Sequence, residues 1–354
     1  MNDTKTTNQL LLIIVIPLIF YLLKVLSFIF IPLVFSMFIS LLFLPMMRWL
    51  LKRRVPKFLS IFFVLIIIGA VFKTGGELIQ LSSKEILSAD NAFFEMAKTK
   101  LVSLVLSLES FFGIESIIEE NTLIQFLQKD SMIKRFGSTI NFISDTLTMT
   151  LMTFFFVILW LSGSINFQGL FVNSALKRKH TILKAFLKIK ADLIKFLKVK
   201  LIISLLTGIS ISLACLFFDI SFPIFWGLFA FLINFVQMVG SVITVVLLAF
   251  FAYIELDPTS LLFFFILTIT AIQILFGSIL EPVFMGKSFS VNIITILIML
   301  MLWGYIWGIP GLILSVPITV FLKIILEQFQ STKVIAIFFD RPEKKVKFQF
   351  KKKQ

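Results

Sequence analysis

Apolar runs of roughly 20 residues, the length that crosses a bilayer as a helix, recur from one end of this 354-residue chain to the other. So much apolar surface has no place in a single water-soluble core. The composition agrees: 59% of residues are hydrophobic, the mean hydropathy is +1.05 and only 15% are charged, where soluble proteins carry about 25%. The pattern predicts an all-α polytopic integral membrane protein with about eight transmembrane helices, two of its C-terminal blocks interrupted or hairpin-like.

The run that starts at Leu11 continues past signal-peptide length with no small-residue cleavage site after it. Leu10 to about Phe30 therefore reads as a retained first helix. A second, about Ile31 to Leu51, follows Pro32 and ends among Arg48, Lys52, Arg53, Arg54 and Lys57. Basic residues collect in cytoplasmic loops, which puts this loop and the N-terminus inside. A third helix over Phe58–Phe72 closes at Lys73, Gly75 and Gly76, so 1–76 holds helices one to three. Residues 77–142 carry charges of both signs at helical spacing (Phe93, Phe94, Ala97, Leu101, Leu104), with Ser82 and Glu85 spaced as a capping box. They predict an extracytoplasmic helical region packed on the bundle.

A fourth helix falls in 143–165. The segment 166–200 is a cytoplasmic basic amphipathic stretch whose lysines, over 177–200, suit anionic lipid headgroups. Residues 201–326 form the C-terminal transport core, and 327–354 a basic cytoplasmic tail. The net charge of +14 is thus a matter of topology and lipid contact, not of nucleic acid. Within the core, Pro223–Ile254 is broken around Asn234–Gly240 and Val291–Ile325 around Gly304–Gly311. Each block is too long for one ordinary span, and hairpins and long tilted spans both remain open.

No sequence pattern for a serine hydrolase, zinc protease or P-loop nucleotide site occurs. The chain therefore reads as a non-enzyme that uses no cofactor and no metal. The lone cysteine, Cys215, excludes an internal disulfide and suits a packed core position. What remains is polar and helix-breaking sequence at membrane depth: NFVQMVG at 234–240, EPVFMGK at 281–287 and WGYIWGIPG at 303–311. Irregular backbone at that depth is tolerated only in protein or against a cavity. Paired interruptions of this kind point to a transport site. Glu281 stands out, because a carboxylate near the bilayer centre costs at least about 2.5 kcal/mol unless it has a partner or a task. Pro282 biases it away from helical geometry, and Lys287 is within loop reach as a partner.

Pro223–Leu322 resembles the C-terminal half of the AI-2E (autoinducer-2 exporter-like) transporters. The likeness rests on Asn234 and Gly240, on Glu281, Pro282 and Gly286 of an E-P-x-x-x-G stretch, on Gly304, Gly308 and Gly311, and on Pro317. It extends more loosely from Ile31 to Lys323. Gln237 stands where proline is usual, and Asn292 with Ile293 where His-Pro is usual. The resemblance implies a permease of the cytoplasmic membrane with both termini inside, exporting a small solute, an autoinducer-2-like signal or another metabolite, without ATP. Glu281, Asn234, Gln237, Asn292 and Lys287 would bind the substrate or ion. Gly240, Pro282, Gly286, Gly304, Gly308, Pro310, Gly311 and Pro317 would break or gate helices. A sodium/proton antiporter and a non-transporting membrane scaffold are the alternatives. Substrate, direction, coupling ion and oligomeric state, a homo-oligomer included, stay open.

Overall fold

The computed structural model describes residues 2–88, 91–112, 149–163, 177–236, 239–257, 259–285 and 292–328. All regular structure among them is helical: α1 (Asn2–Val25), α2 (Ser27–Lys52), α3 (Lys57–Leu87), α4 (Asn91–Phe112) and α5 (Met149–Gly163), then α6 (Lys177–Phe217), α7 (Pro223–Ile233) and α8 (Val239–Glu255). The rod that follows joins α9 (Thr259–Gln273), a π-helical segment (Ile274–Leu280) and α10 (Glu281–Met285), and α11 (Ile293–Gln328) closes the described chain. Five helices are long and apolar enough to cross a membrane, within 27–52, 57–86, 187–217, 259–285 and 294–327. Crossing by three of the four shorter apolar helices would bring the count to the expected eight. At 11 residues, α7 is about 16 Å long and cannot span a hydrocarbon layer of about 30 Å.

Several helix ends differ from expectation. The first break falls at Leu26, and Pro32 lies inside α2. The third helix does not close at Gly75–Gly76 but runs on to Leu87, with Thr74 Oγ1 donating to Ala70 O and Lys73 paired to Glu77 across the glycines. Glycine and proline are weaker punctuation in membrane helices than in soluble ones. Ser82 and Glu85 consequently sit near the end of α3 and form no capping box. Glu85 instead reaches α7, where its carboxylate oxygens accept the Ile224 and Phe225 N–H groups at the positive end of that helix.

The two interrupted blocks resolve differently. In the first, α7 and α8 pack on each other across the break at Asn234–Met238, so tightly that a Cβ on Gly240 would collide with Ile233 O. The second breaks at one residue, Gly308, with φ +62° and ψ −138°, a combination essentially reserved for glycine. A Cβ on Gly311 would collide with Trp303 O, although eight residues of straight helix separate their ends by about 12 Å. The chain therefore folds back sharply at Gly308. Pro310 falls in the first turn after the bend, where its missing N–H costs nothing; Pro317 lies buried further along.

Helix α6 organises the bundle. Its Leu193, Phe196 and Leu197 join one buried cluster with α2 and α11, and its Ile211, Ala214 and Cys215 join another with α7, α8 and α9. The α6–α7 crossing is close: a Cβ on Gly208 would lie 2.7 Å from Gly227 O, the small-residue contact that lets membrane helices approach. Helix α4 packs on α8, and Lys100 bridges Asp257 at 2.9 Å. Of the predicted extracytoplasmic region, α4 thus rests on the bundle. Residues 113–148 and the tail beyond 328 lie outside the described residues.

Candidate functional site

Between its two core clusters α6 carries a lysine on its buried face. Leu193, Phe196, Leu197, Lys200, Ile203, Ser204 and Thr207 are all buried and fall on one helical face, while Lys188, Lys195 and Lys198 are exposed. Lys200 therefore does not belong to the solvated face of the basic run. One continuous helix carries it past the expected boundary at 200, and only 1% of its surface is exposed.

Its partner is Glu281, also 1% exposed. Lys200 Nζ donates to both carboxylate oxygens, at 3.0 Å to Oε1 and 2.9 Å to Oε2. Burying two ions forfeits several kcal/mol of hydration each, which close two-pronged pairing offsets. Lys287, expected as the partner, lies outside the described residues, as do Gln237 and Gly286.

The backbone around Glu281 differs from expectation too. Glu281 has helical angles, φ −57° and ψ −53°, despite the proline after it. Pro282 has no N–H for the carbonyl four residues back and crowds it. The preceding turns widen instead: Ile274–Leu280 is π-helical, and Glu281 N–H bonds Phe276 O, five residues away. Such insertions concentrate at functional sites.

Before Glu281 the same rod presents a polar stripe at helical spacing, Thr270, Gln273, Gly277 and Ser278. With Ser241 and the valines of α8, and with Asn234 from the break after α7, it lines an open cavity of about 340 Å³, whose wall includes the exposed Val242, Val246 and Ile274. Gly277 and Ser241 mark the close approach of the two walls, 3.3 Å from a would-be Cβ to Oγ. Asn234 is held by donating Nδ2–H to Ser204 Oγ at 3.1 Å. Gln273 is 4% exposed, and among the described residues neither its amide oxygen nor its nitrogen has a hydrogen-bond partner. A buried polar group left so costs about 1–3 kcal/mol.

The structure thus brings Asn234 and Glu281 to one cavity, adds Thr270 and Gln273 to its lining, and supplies Lys200 and Ser204 as the partners of Glu281 and Asn234, four residues that sequence reasoning passed over. Asn292 is engaged elsewhere, accepting the Ile294 N–H at 3.1 Å as the N-cap of α11, a preferred role for asparagine. The bend at Gly308 is also separate: Ile309 and Pro310 line a different cavity of about 230 Å³ with Pro32 and Thr153. Trp307 ties that bend to α1 by donating Nε1–H to Leu23 O at 2.9 Å.

Comparison with known proteins agrees with this architecture. Residues 10–331 match the profile described as AI-2E family transporter. The AI-2 transport protein TqsA of Escherichia coli K12 is 24% identical over 340 residues, covering 94% of this chain and 96% of its own. Two proteins named "Putative transport protein" are similarly related. That of Haemophilus influenzae is 26% identical over 336 residues (94% of this chain, 95% of its own), and that of Borreliella burgdorferi 25% over 323 (90% and 87%). With a family match spanning nearly its whole length, this chain belongs to the AI-2E transporter family.

Proposed function

We propose that the protein is a permease of the cytoplasmic membrane that exports a small solute without ATP hydrolysis, with both termini inside. The observation that carries this reading is the Lys200–Glu281 pair beside the cavity of Asn234 and Gln273. An ion pair costly to bury is kept where helices are interrupted and polar groups converge, which fits a site that opens and closes. The pair links α6 to the rod of α9 and α10, so releasing it frees one wall of the cavity to move. The name of TqsA makes an autoinducer-2-like signal the first solute to test. The exposed lysines of α6 would contact anionic headgroups.

The test compares metabolites in medium and cells for strains with the gene intact, deleted, or carrying Glu281→Gln. Deletion should shift at least one solute from medium to cells, and Glu281→Gln should mimic deletion. Identical profiles in all three strains would sink the proposal.

The same pair supports a second reading, a sodium/proton antiporter in which a cation displaces the Lys200 ammonium from Glu281. Lysine already occupies both oxygens, so the cation must compete for them. Equal sodium-driven dequenching of a pH dye in vesicles with parent and Glu281→Gln protein would remove this reading.

A further inference from the structure

We propose that Gln273 is the specificity-determining residue of the cavity before Glu281, and that the cavity takes a small uncharged solute with a hydrogen-bond donor and acceptor on neighbouring atoms. A vicinal diol or a primary amide has that character. The inference rests on the transport reading above and deepens it by naming the class of solute and the residue that reads it.

The argument starts from the free amide. Gln273 is nearly fully buried, yet neither amide atom is bonded by any described protein group. Both atoms belong to a residue lining a mostly apolar cavity, and a ligand that reaches the amide there satisfies them. An amide offers one donor and one acceptor side by side, so its best complement offers the same pair reversed. Thr270 precedes it by one turn and Ser278 follows on the same face, while Ser241 and Asn234 face it from α8 and the α7 break. These groups extend the hydrogen-bonding row without adding charge.

Charge settles the class. Among the described residues Glu281 is the only ionisable one lining the cavity, and the Lys200 ammonium already neutralises it. A solute with a net charge would have no counter-charge there and would lose its hydration uncompensated. The volume, about 340 Å³, is near the lower end of ligand pockets at about 300–1,000 Å³, which suits a small metabolite. The valines of α8 and Ile274 supply the apolar remainder of the wall.

The test uses the full chain in liposomes. Stopped-flow light scattering follows entry of erythritol, acetamide and sodium gluconate after osmotic shock, for parent, Gln273→Leu and Glu281→Gln proteins. Erythritol or acetamide should enter faster than in protein-free vesicles, gluconate should not, and Gln273→Leu should slow entry about tenfold, the factor set by one lost hydrogen bond. Because leucine removes an unbonded buried amide, Gln273→Leu should also unfold at a temperature equal to or above the parent's. A lower temperature would mark a structural role and overturn the proposal. Undiminished erythritol and acetamide entry in Gln273→Leu, or entry of neither above protein-free vesicles, overturns it too. If in those cases gluconate enters with the parent protein and Glu281→Gln abolishes that entry, the transport reading stands with a charged solute; if the metabolite profiles are also unchanged on deletion, both fail.

Discussion

Splitting the Lys200–Glu281 pair should cost much more than replacing it. Across 2.9 Å the attraction is about 6 kcal/mol at an effective dielectric constant of about 20. Each ion forfeits several kcal/mol of hydration, so the intact pair is close to break-even while one ion alone is not. Lys200→Met and Glu281→Leu should each lose about 3–5 kcal/mol, and the double variant should return to near the parent. The assay is SDS-driven unfolding of the detergent-purified protein followed by circular dichroism. Single variants within about 1 kcal/mol of the parent, or a double variant as unstable as the sum of the singles, would refute the reasoning.

Three further outcomes test the framework around the pair. Gly308→Ala should lose on the order of 1–3 kcal/mol, because no atom crowds the new methyl group and the backbone angle alone resists it; Gly75→Ala, inside α3 with open space around it, should gain about 0.5–1 kcal/mol. Thermal unfolding of both compares them directly, and equal shifts would remove the bend from the argument. Glu85→Ala should cost about 0.5–2 kcal/mol through the lost cap on α7, with Glu85→Gln intermediate since its amide oxygen still accepts; the same unfolding measurement reads both. In a Cys215→Ser background, Asp257→Cys should label from outside the cell and Ser288→Cys from inside, whereas labelling of both from one side would end the proposed topology.

Helix identity was legible because lipid-facing sequence has to be apolar for its whole length, whatever packs behind it. The interruptions at Asn234–Gly240 and Gly304–Gly311 were legible for the converse reason: paired amides, or glycines with a proline, inside an apolar run have no purpose in a plain span; that the second break falls at Gly308 alone came from the backbone. Helix ends were less so. Pro32 and Gly75–Gly76 read as punctuation by soluble-protein habit, yet without competing water the backbone keeps its internal bonds through them. The pairing of residues 200 and 281 lies beyond any local window, since it depends on α6 crossing the rod of α9 and α10. Its signal was nevertheless in the spacing. Lys200 falls in the series 193, 196, 197, 200, 203, 204, 207, the apolar face, while its neighbours Lys195 and Lys198 fall off it. Gln273 falls likewise in the series 270, 273, 277, 278, 281. Two helices that each place a polar group on an otherwise buried stripe bury those groups together or not at all, because neither can be satisfied by lipid. A lone lysine on one such stripe therefore calls for a carboxylate on another. Of the carboxylates in residues 201–326, Asp219, Glu255 and Asp257 sit by the loops at helix ends, which leaves Glu281 as the one embedded within an apolar rod.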